Sequence, residues 1–389
     1  MLKFLIGGSP CTNWSIAQKH RETTASGEGW ELFLNYVLAK QRFKPDFFLY
    51  ENNKSAADEI KKQISTELAA PLQYINSGLV SAQNRERFYC HNLGNVPQPE
   101  DRRILVQDIL ESNRQGIDYG AIAVDYNLHK NCEIVITQNF MRQARLDRNG
   151  STVQGQHVTF LDGKTQTLNT NHIPMIFESM PTKPIKVGGF PSKGKLKYRQ
   201  GEVLYSEKGK AICLTANGGG VGGNSGLYIM PFDSSSKCRP VYRVVNGKIA
   251  IKGKLYPIKI QDGLYIIRKL TVAECCRLQT MPDNYCRAVT KTQALKGLGN
   301  GWTAEVILHL LSHALKGVPK NEKIVVLSMY DGIGTGRYCF DKLGYHNITY
   351  YAYEFDSHAV TVSMSNYPDI KQCGDAYSVR KAGWFLDGI

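Results

Sequence analysis

Cys11 closes the turn Gly7-Gly-Ser-Pro-Cys11, directly behind the apolar run Leu2 to Ile6. The run reads as a strand and the turn is a poor place to bury a side chain, so the thiol is presented at the strand's carboxyl end. The arrangement recurs three times: Phe47 to Tyr50 ends in Glu51-Asn52, Ile324 to Ser328 ends in Tyr330-Asp331-Gly332-Ile333-Gly334-Thr335-Gly336, and Thr349 to Tyr353 ends in Glu354. Open α/β sheets bind ligands at the carboxyl ends of their strands, which would gather a thiol, a glycine-rich loop and two carboxylates in one cleft. A thiol of this kind suits nucleophilic addition, and a carboxyl group beside it suits proton transfer.

The elements that must position these groups follow from the same runs. A glycine-rich loop lets backbone approach a ligand closely, and the helix after it offers free N–H groups. Glu354, about 20 positions on and at the end of a second strand, matches the acidic residue that holds a ribose diol. The ligand is then a dinucleotide or an adenosyl compound, and the loop alone does not choose between them.

The chain has 389 residues, a formal charge of +14 and ten cysteines. It contains no Cys-x-x-Cys and one adjacent pair, Cys275-Cys276, so neither a zinc site nor a disulfide framework is indicated and the thiols are expected to be reduced. For nine of the ten cysteines the expected role is that of a small buried hydrophobe, with Cys11 the exception. The lack of a signal sequence and of a long apolar stretch leads to the expectation of a soluble, cytoplasmic protein with no membrane partner.

These residues resemble the DNA (cytosine-5)-methyltransferases, with the family's motifs in circularly permuted order. Gly7 to Ser15 is similar to the nucleophile motif, Tyr50-Glu51-Asn52 to the catalytic glutamate motif, and Gln83-Asn-Arg85-Glu-Arg87 to the Gln-x-Arg-x-Arg element. Arg268 to Tyr285 resembles the segment that closes the recognition region, and Leu298 to Trp302 the late cofactor-contacting motif. Only then come Leu327 to Gly336, Glu354 and Gly374-Asp375, which open the chain in most of the family.

The resemblance implies a Rossmann-like class I S-adenosylmethionine-dependent α/β fold with an inserted β-rich target-recognition domain. The implied divisions are a first catalytic part at 1–127, recognition at 128–266, a second catalytic part at 267–315, a linker at 316–323 and the cofactor-binding part at 324–389. The permutation leads to the expectation that the two ends of the chain are neighbouring elements of one sheet.

The chemistry can be argued from cytosine itself. Its C5 is a poor nucleophile until a thiolate adds to C6 and the ring accepts charge at N3. By resemblance Cys11 is that thiolate, Glu51 meets N3 and the exocyclic amine, and Arg87 with its neighbour Arg85 holds the pyrimidine O2; a role for Arg85 within the fold stays open. The resemblance places Tyr330 and Phe355 beside the adenine of S-adenosylmethionine and the backbone of Asp331, Gly332, Ile333, Gly334 and Thr335 along its methionine part. Glu354 is to take the ribose hydroxyls, Asp375 with Ala376 the adenine, and Asn300, Gly301 and Trp302 the methionine end. Core packing is the alternative for Phe355 and Trp302. Val306, Ile307, Leu310, Leu311, Ala314 and Leu315 share one face of a helix that follows.

Specificity is expected in 128–266, a block of short strands and loops. Lys193, Lys195, Lys197 and Arg199 alternate, which on a strand gives one basic face for phosphates. Gly163 to Asn171 and Gly209 to Asn217 echo each other, and the second runs into a glycine loop, so Asn217, Gly218, Gly219 and Gly220 are candidate base-edge contacts. Duplex DNA hides C6, so the target base must be flipped out, and the polar loop Lys19 to Gly29 is a candidate lid. The implied partners are double-stranded DNA and, as a candidate, a cognate restriction endonuclease, with monomeric action the default and no metal. An RNA cytosine-5 methyltransferase and a catalytically silent DNA-binding paralogue are the competing readings.

Overall fold

The computed structural model describes residues 1–16, 18, 20–111, 132–137, 140–145, 158–159, 181–189, 200–216, 218, 222–232, 241–251 and 254–386. They fall into two compact units, one of residues 1–112 with 182–389 and one of residues 113–181.

The larger unit is built on strands that the apolar runs foreshadow. β1 (Leu2–Gly7) leads through α1 (Glu28–Phe43) to β2 (Phe47–Asn53), then through α2 (Asp58–Leu68) to β3 (Leu72–Asn76) and back along β4 (Glu86–His91). The chain continues through the short α3 (Val106–Ile109). The smaller unit contributes β5 (Cys132–Thr137), β6 (Phe140–Arg145) and β7 (Val158–Thr159), an antiparallel three-stranded sheet.

Back in the larger unit, a second sheet takes up β8 (Lys186–Gly189), β9 (Val203–Ser206), β10 (Leu227–Pro231), β11 (Val241–Val245), β12 (Lys248–Ile251), β13 (Lys254–Pro257) and β14 (Gly263–Arg268). Its order is β13-β12-β11-β14-β10-β9-β8, and only β9 and β10 run parallel. Three helices follow, α4 (Val272–Leu278), α5 (Lys291–Asn300) and α6 (Ala304–Ala314). Thr271 and Glu274 form a reciprocal cap at the start of α4. The face of α6 read from its spacing is buried at Val306, Ile307, Leu310, Leu311 and Ala314. Residues 315–323 form turns, after which come β15 (Ile324–Met329), α7 (Thr335–Lys342), β16 (Ile348–Tyr353), α8 (Ser357–Asn366) and β17 (Lys371–Gly374).

The first sheet has the order β17-β16-β15-β1-β2-β4-β3, parallel except where β4 runs against both β2 and β3. Successive strand residues point to opposite faces, so each strand feeds two cores. Phe4, Ile6 and Val326 pack under α5 and α6, while Leu5, Val325 and Leu327 pack under α1 and α2. The order reverses between β15 and β1, which is where a doubly wound sheet opens a crevice. This corrects the expectation that the chain's ends are neighbouring elements: β15 and β16 stand between β1 and β17, because the strands step outward from β15 to the edge. No helix among the described residues is long and apolar enough to cross a membrane.

The second sheet is tied to the first through Lys210. Its ammonium donates to the carbonyls of Gly78, Ser81 and Ile104 at 2.5, 3.0 and 2.6 Å. A buried cation is tolerated here because three carbonyl dipoles replace its water.

Candidate active site

The turn after β1 is shaped by what it must fit against. A Cβ on Gly8 would stand 2.4 Å from the Glu51 carbonyl oxygen, so only glycine lets the loop lie on β2 at this point. Ser9 Oγ and Tyr50 Oη share a hydrogen bond of 2.7 Å, and Asn52 Nδ2 donates to Ser9 O at 2.9 Å and to Tyr50 Oη at 3.1 Å. This buried network fixes the loop to the strand that carries Glu51. Cys11 then heads a single 3-10 turn, Thr12–Trp14, and is partly exposed. Its carbonyl accepts from Asn53 Nδ2 at 3.4 Å.

Glu51 lies inside β2 rather than at its end, since pairing with β4 continues to Asn53. Its neighbour across that ladder is Tyr89, and the pairing of Asn53 with Arg87, two positions on, brings the arginine to the same face. Arg87 Nε is 3.0 Å from Glu51 Oε1, and Trp302 Nε1 donates to Glu51 Oε2 at 2.9 Å. Both carboxylate oxygens therefore have a partner in a site that is largely closed to water. Burial works against the charge of Arg87, but Cys213, Glu51 and Cys11 outweigh it and hold its pKa above the ordinary value.

Arg85 is buried and its donors go to the fold. Nη1 reaches Gly299 O at 3.2 Å and Leu214 O at 3.5 Å, and Nη2 reaches Gly301 O at 3.0 Å. Gly301 O also accepts from Gln279 Nε2 at 3.1 Å. Asn300 is exposed and Trp302 half-buried, with its indole turned to Glu51.

At the end of β15, Tyr330 has φ 60° and donates to Leu32 O at 2.7 Å, which sets the loop's path. Gly332 N donates to Glu354 Oε2 at 2.9 Å, and Glu354 Oε1 accepts from the amides of Phe355 and Asp356 at 2.9 and 2.8 Å. The carboxylate that ends β16 is thus fixed against the glycine loop, with lone pairs left for a ligand. Gly334 caps α7, which Thr335 begins; Ile333 is buried, and its carbonyl accepts from Tyr285 Oη at 3.0 Å. Asp375 caps the next turn through the Tyr377 amide at 2.9 Å, and Ala376 is buried beneath it. Phe355 is 76% exposed, so it is no part of the core.

The expected basic strand, Lys193, Lys195, Lys197 and Arg199, lies outside the described residues, as do Asn217, Gly219, Gly220 and the stretch Gly163 to Asn171. Gly218 is described and lies against Gly223 and Asn224. In the loop considered as a lid, Lys19 is outside the description, while Arg21 donates to Ser55 O at 2.7 Å and Glu22 accepts from Trp14 Nε1 at 3.0 Å and from the Gly29 amide at 3.1 Å. A carboxylate at the first turn of α1 is favoured by the free amides there.

The expectation for nine cysteines fails at Cys373, which is partly exposed, and with more consequence at Cys213. It is partly exposed and its sulfur lies 3.3 Å from Arg85 Nη1 and 3.7 Å from Arg87 Nη2. Burial raises this thiol, but the two guanidiniums overcome that and lower it from its ordinary value. The contact joins residues far apart in sequence, and the spacing of Cys213 carries no signal for it. The same is true of Trp302 and Glu51, whereas Cys90, Cys275, Cys276, Cys286 and Cys339 are buried as expected.

Residues 1–316 match the family model for C-5 cytosine-specific DNA methylase. The chain is similar to the type II methyltransferase M.HhaI of Haemophilus parahaemolyticus, 24% identical over 326 residues, which cover 79% of this chain and 73% of that protein. It is similar to the orphan methyltransferase M.Rho11sI of Bacillus phage rho11s, 23% identical over 241 residues, which cover 58% of this chain and 46% of the relative. A third relative, the orphan methyltransferase M.SPRI of Bacillus phage SPR, is 26% identical over 118 residues, 30% of this chain and 25% of its own length. The chain thus spans less than half the length of either phage relative. With the family model covering most of its length, and the thiol, carboxylate and arginine of the motifs on the turn after β1, on β2 and on β4, the chain belongs to the C-5 cytosine-specific DNA methylase family.

Proposed function

We propose that the chain methylates C5 of a cytosine flipped out of duplex DNA, using S-adenosylmethionine and a transient bond between Cys11 and C6. The observation that carries this reading is the Arg87–Glu51–Trp302 cluster beside the loop of Cys11. The thiolate of Cys11 adds to C6, and the Glu51 carboxyl group meets N3 and passes a proton to it, so that the ring can hold the electron pair. Trp302 and Arg87 keep the carboxyl group in one orientation. Arg87, whose other donors engage Glu86 O at 2.8 Å and Cys213, retains N–H groups for the pyrimidine O2. After transfer, loss of the C5 proton to a base expels Cys11 as thiolate, and N3 returns its proton to Glu51, which restores the ring.

The residues around β15 and β16 fit the cofactor. Glu354 is locked to the glycine loop with lone pairs to spare, and a large apolar ring, Phe355, stands in solvent beside it. Glu354 would hold the ribose, Phe355 and Tyr330 the adenine with Asp375, and the turn from Asp331 to Thr335 the methionine part. When bound, S-adenosylmethionine supplies the methyl group as an electrophile. The family model's match stops at residue 316, within the turns that lead to β15, which supports a circularly permuted order of motifs. Target recognition is assigned to 128–266.

The test is methylation of mixed-sequence duplex DNA with labelled S-adenosylmethionine, read by bisulfite sequencing beside Cys11→Ala. Protected cytosines that vanish in the variant are expected. No transfer by a protein that still binds the cofactor refutes the reading and directs attention to RNA.

A further inference from the structure

The segment Lys210 to Ala216 runs along the stretch Ala82 to Arg85 that leads into β4. Ala211 bridges Gln83 in parallel register, with Ala211 N donating to Ala82 O at 2.6 Å and Asn84 N to Ala211 O at 2.9 Å. Two residues further along both segments, this register sets Cys213 beside Arg85. From the other side the end of α5 presses on the same segment: a Cβ on Gly299 would stand 2.5 Å from the Thr215 carbonyl carbon and 2.6 Å from the Ala216 nitrogen. Asn224 Nδ2 holds the carbonyls of Thr215 and Ala216 at 2.6 and 2.8 Å. Main chain on both sides therefore fixes where the sulfur sits.

The cluster contains two guanidiniums, and among the described residues Glu51 is the carboxylate within salt-bridge distance of them, at Arg87. Arg87 uses Nε for Glu51, Nη1 for the carbonyl of Glu86 and Nη2 for Cys213, so each nitrogen of the planar fork has a partner and Cys213 is the one that occupies Nη2. Arg85, through Nη1, binds the same sulfur.

We propose that Cys213 is a positioning residue of the methyl-transfer site, a second sulfur that accepts from Arg85 and Arg87 and fixes the plane of the Arg87 guanidinium against Glu51. The inference rests on the reading of Glu51 and Arg87 as the groups that meet the target base. Sulfur differs from a hydroxyl here because it can hold a full negative charge between the two cations. Burial opposes that charge, and the guanidiniums prevail.

Two measurements test it. The first is the ultraviolet absorbance of thiolate against pH in Cys11→Ala, with Cys11→Ala/Cys213→Ser subtracted. A component with a midpoint below the value of about 8.5 for a free cysteine is expected, moving upward when Arg87→Gln is added. A midpoint at or above that value overturns the proposal. The second is the kinetics of Cys213→Ser, which keeps an acceptor but cannot ionise in this range. About a tenfold fall in kcat is expected, with the KM for S-adenosylmethionine unchanged and the pH–rate profile displaced. Wild-type kcat with an unmoved profile also overturns it. The titration needs no turnover, so absence of methyl transfer in the unmodified protein would count against the functional reading and leave this result intact.

Discussion

Asp331→Asn should make the protein more stable at neutral pH. Asp331 is only half-buried as a residue, yet its Oδ2 meets neither solvent nor a hydrogen-bond partner, while Oδ1 accepts from Tyr350 Oη at 2.6 Å. Burial pushes its carboxyl up from the ordinary 3.8 to about 6, against the opposing pull of the Tyr350 hydroxyl. That displacement corresponds to ~3 kcal/mol. Because the folded-state pKa lies above the unfolded one, nothing is lost below the ordinary carboxylate range. As pH rises from there to about 6 the unfolded chain ionises first, and above it the full penalty falls on the folded protein. Asparagine keeps the acceptor for Tyr350 and sets Nδ2 beside the buried hydroxyl of Ser328. Urea denaturation followed by far-ultraviolet circular dichroism should show Asp331→Asn gaining up to ~3 kcal/mol at pH 8 and about half of that at pH 5. An equal gain at both pH values, or a loss at pH 8, refutes the reasoning.

Glu51→Gln should lower kcat by roughly 10²- to 10⁴-fold, the span for a lost proton donor, with little change in thermal midpoint; single-turnover methylation gives the number. Trp302→Phe removes one hydrogen bond to a carboxylate, on the order of 1.5–3 kcal/mol, and should depress kcat/KM by about tenfold or more. Gly299→Ala sets a Cβ against the backbone of Thr215 and Ala216, which cannot yield as a side-chain tip does. A loss of about 1–3 kcal/mol or more is expected in denaturant titrations.

What the sequence revealed depended on how local the signal was. β1, β2, β15 and β16 announce themselves as short apolar runs, and α6 by its period, because each buries a whole face that its own residues must fill. The order of the second sheet is not legible, since β10 lies between the parallel β9 and the antiparallel β14 and that choice is made by packing alone. The same division holds in the site. Cys11, Glu51, Arg87 and Glu354 belong to motifs a few residues long. The contacts that hold them do not: Trp302 reaches Glu51 across 251 positions and Cys213 reaches Arg85 across 128. Arg85 shows the limit of a motif. Its residue type was legible, but its commitment to the carbonyls of Gly299 and Gly301 appears only once α5 has been placed.

The central position of β1 has a consequence for how the chain is made. Leu2 pairs with Ile324, so β1 meets one of its two partners only after more than 300 further residues have been made. At about 5–20 residues per second that interval is on the order of 15–60 s. During it β2 can cover one edge of β1, while the other stays open, with Phe4, Leu5 and Ile6 lacking half their cover. The middle of the sheet can close only once β15 has been made, which makes the nascent chain a substrate for chaperones and gives truncations that remove β15 a severe effect on folding out of proportion to the residues removed.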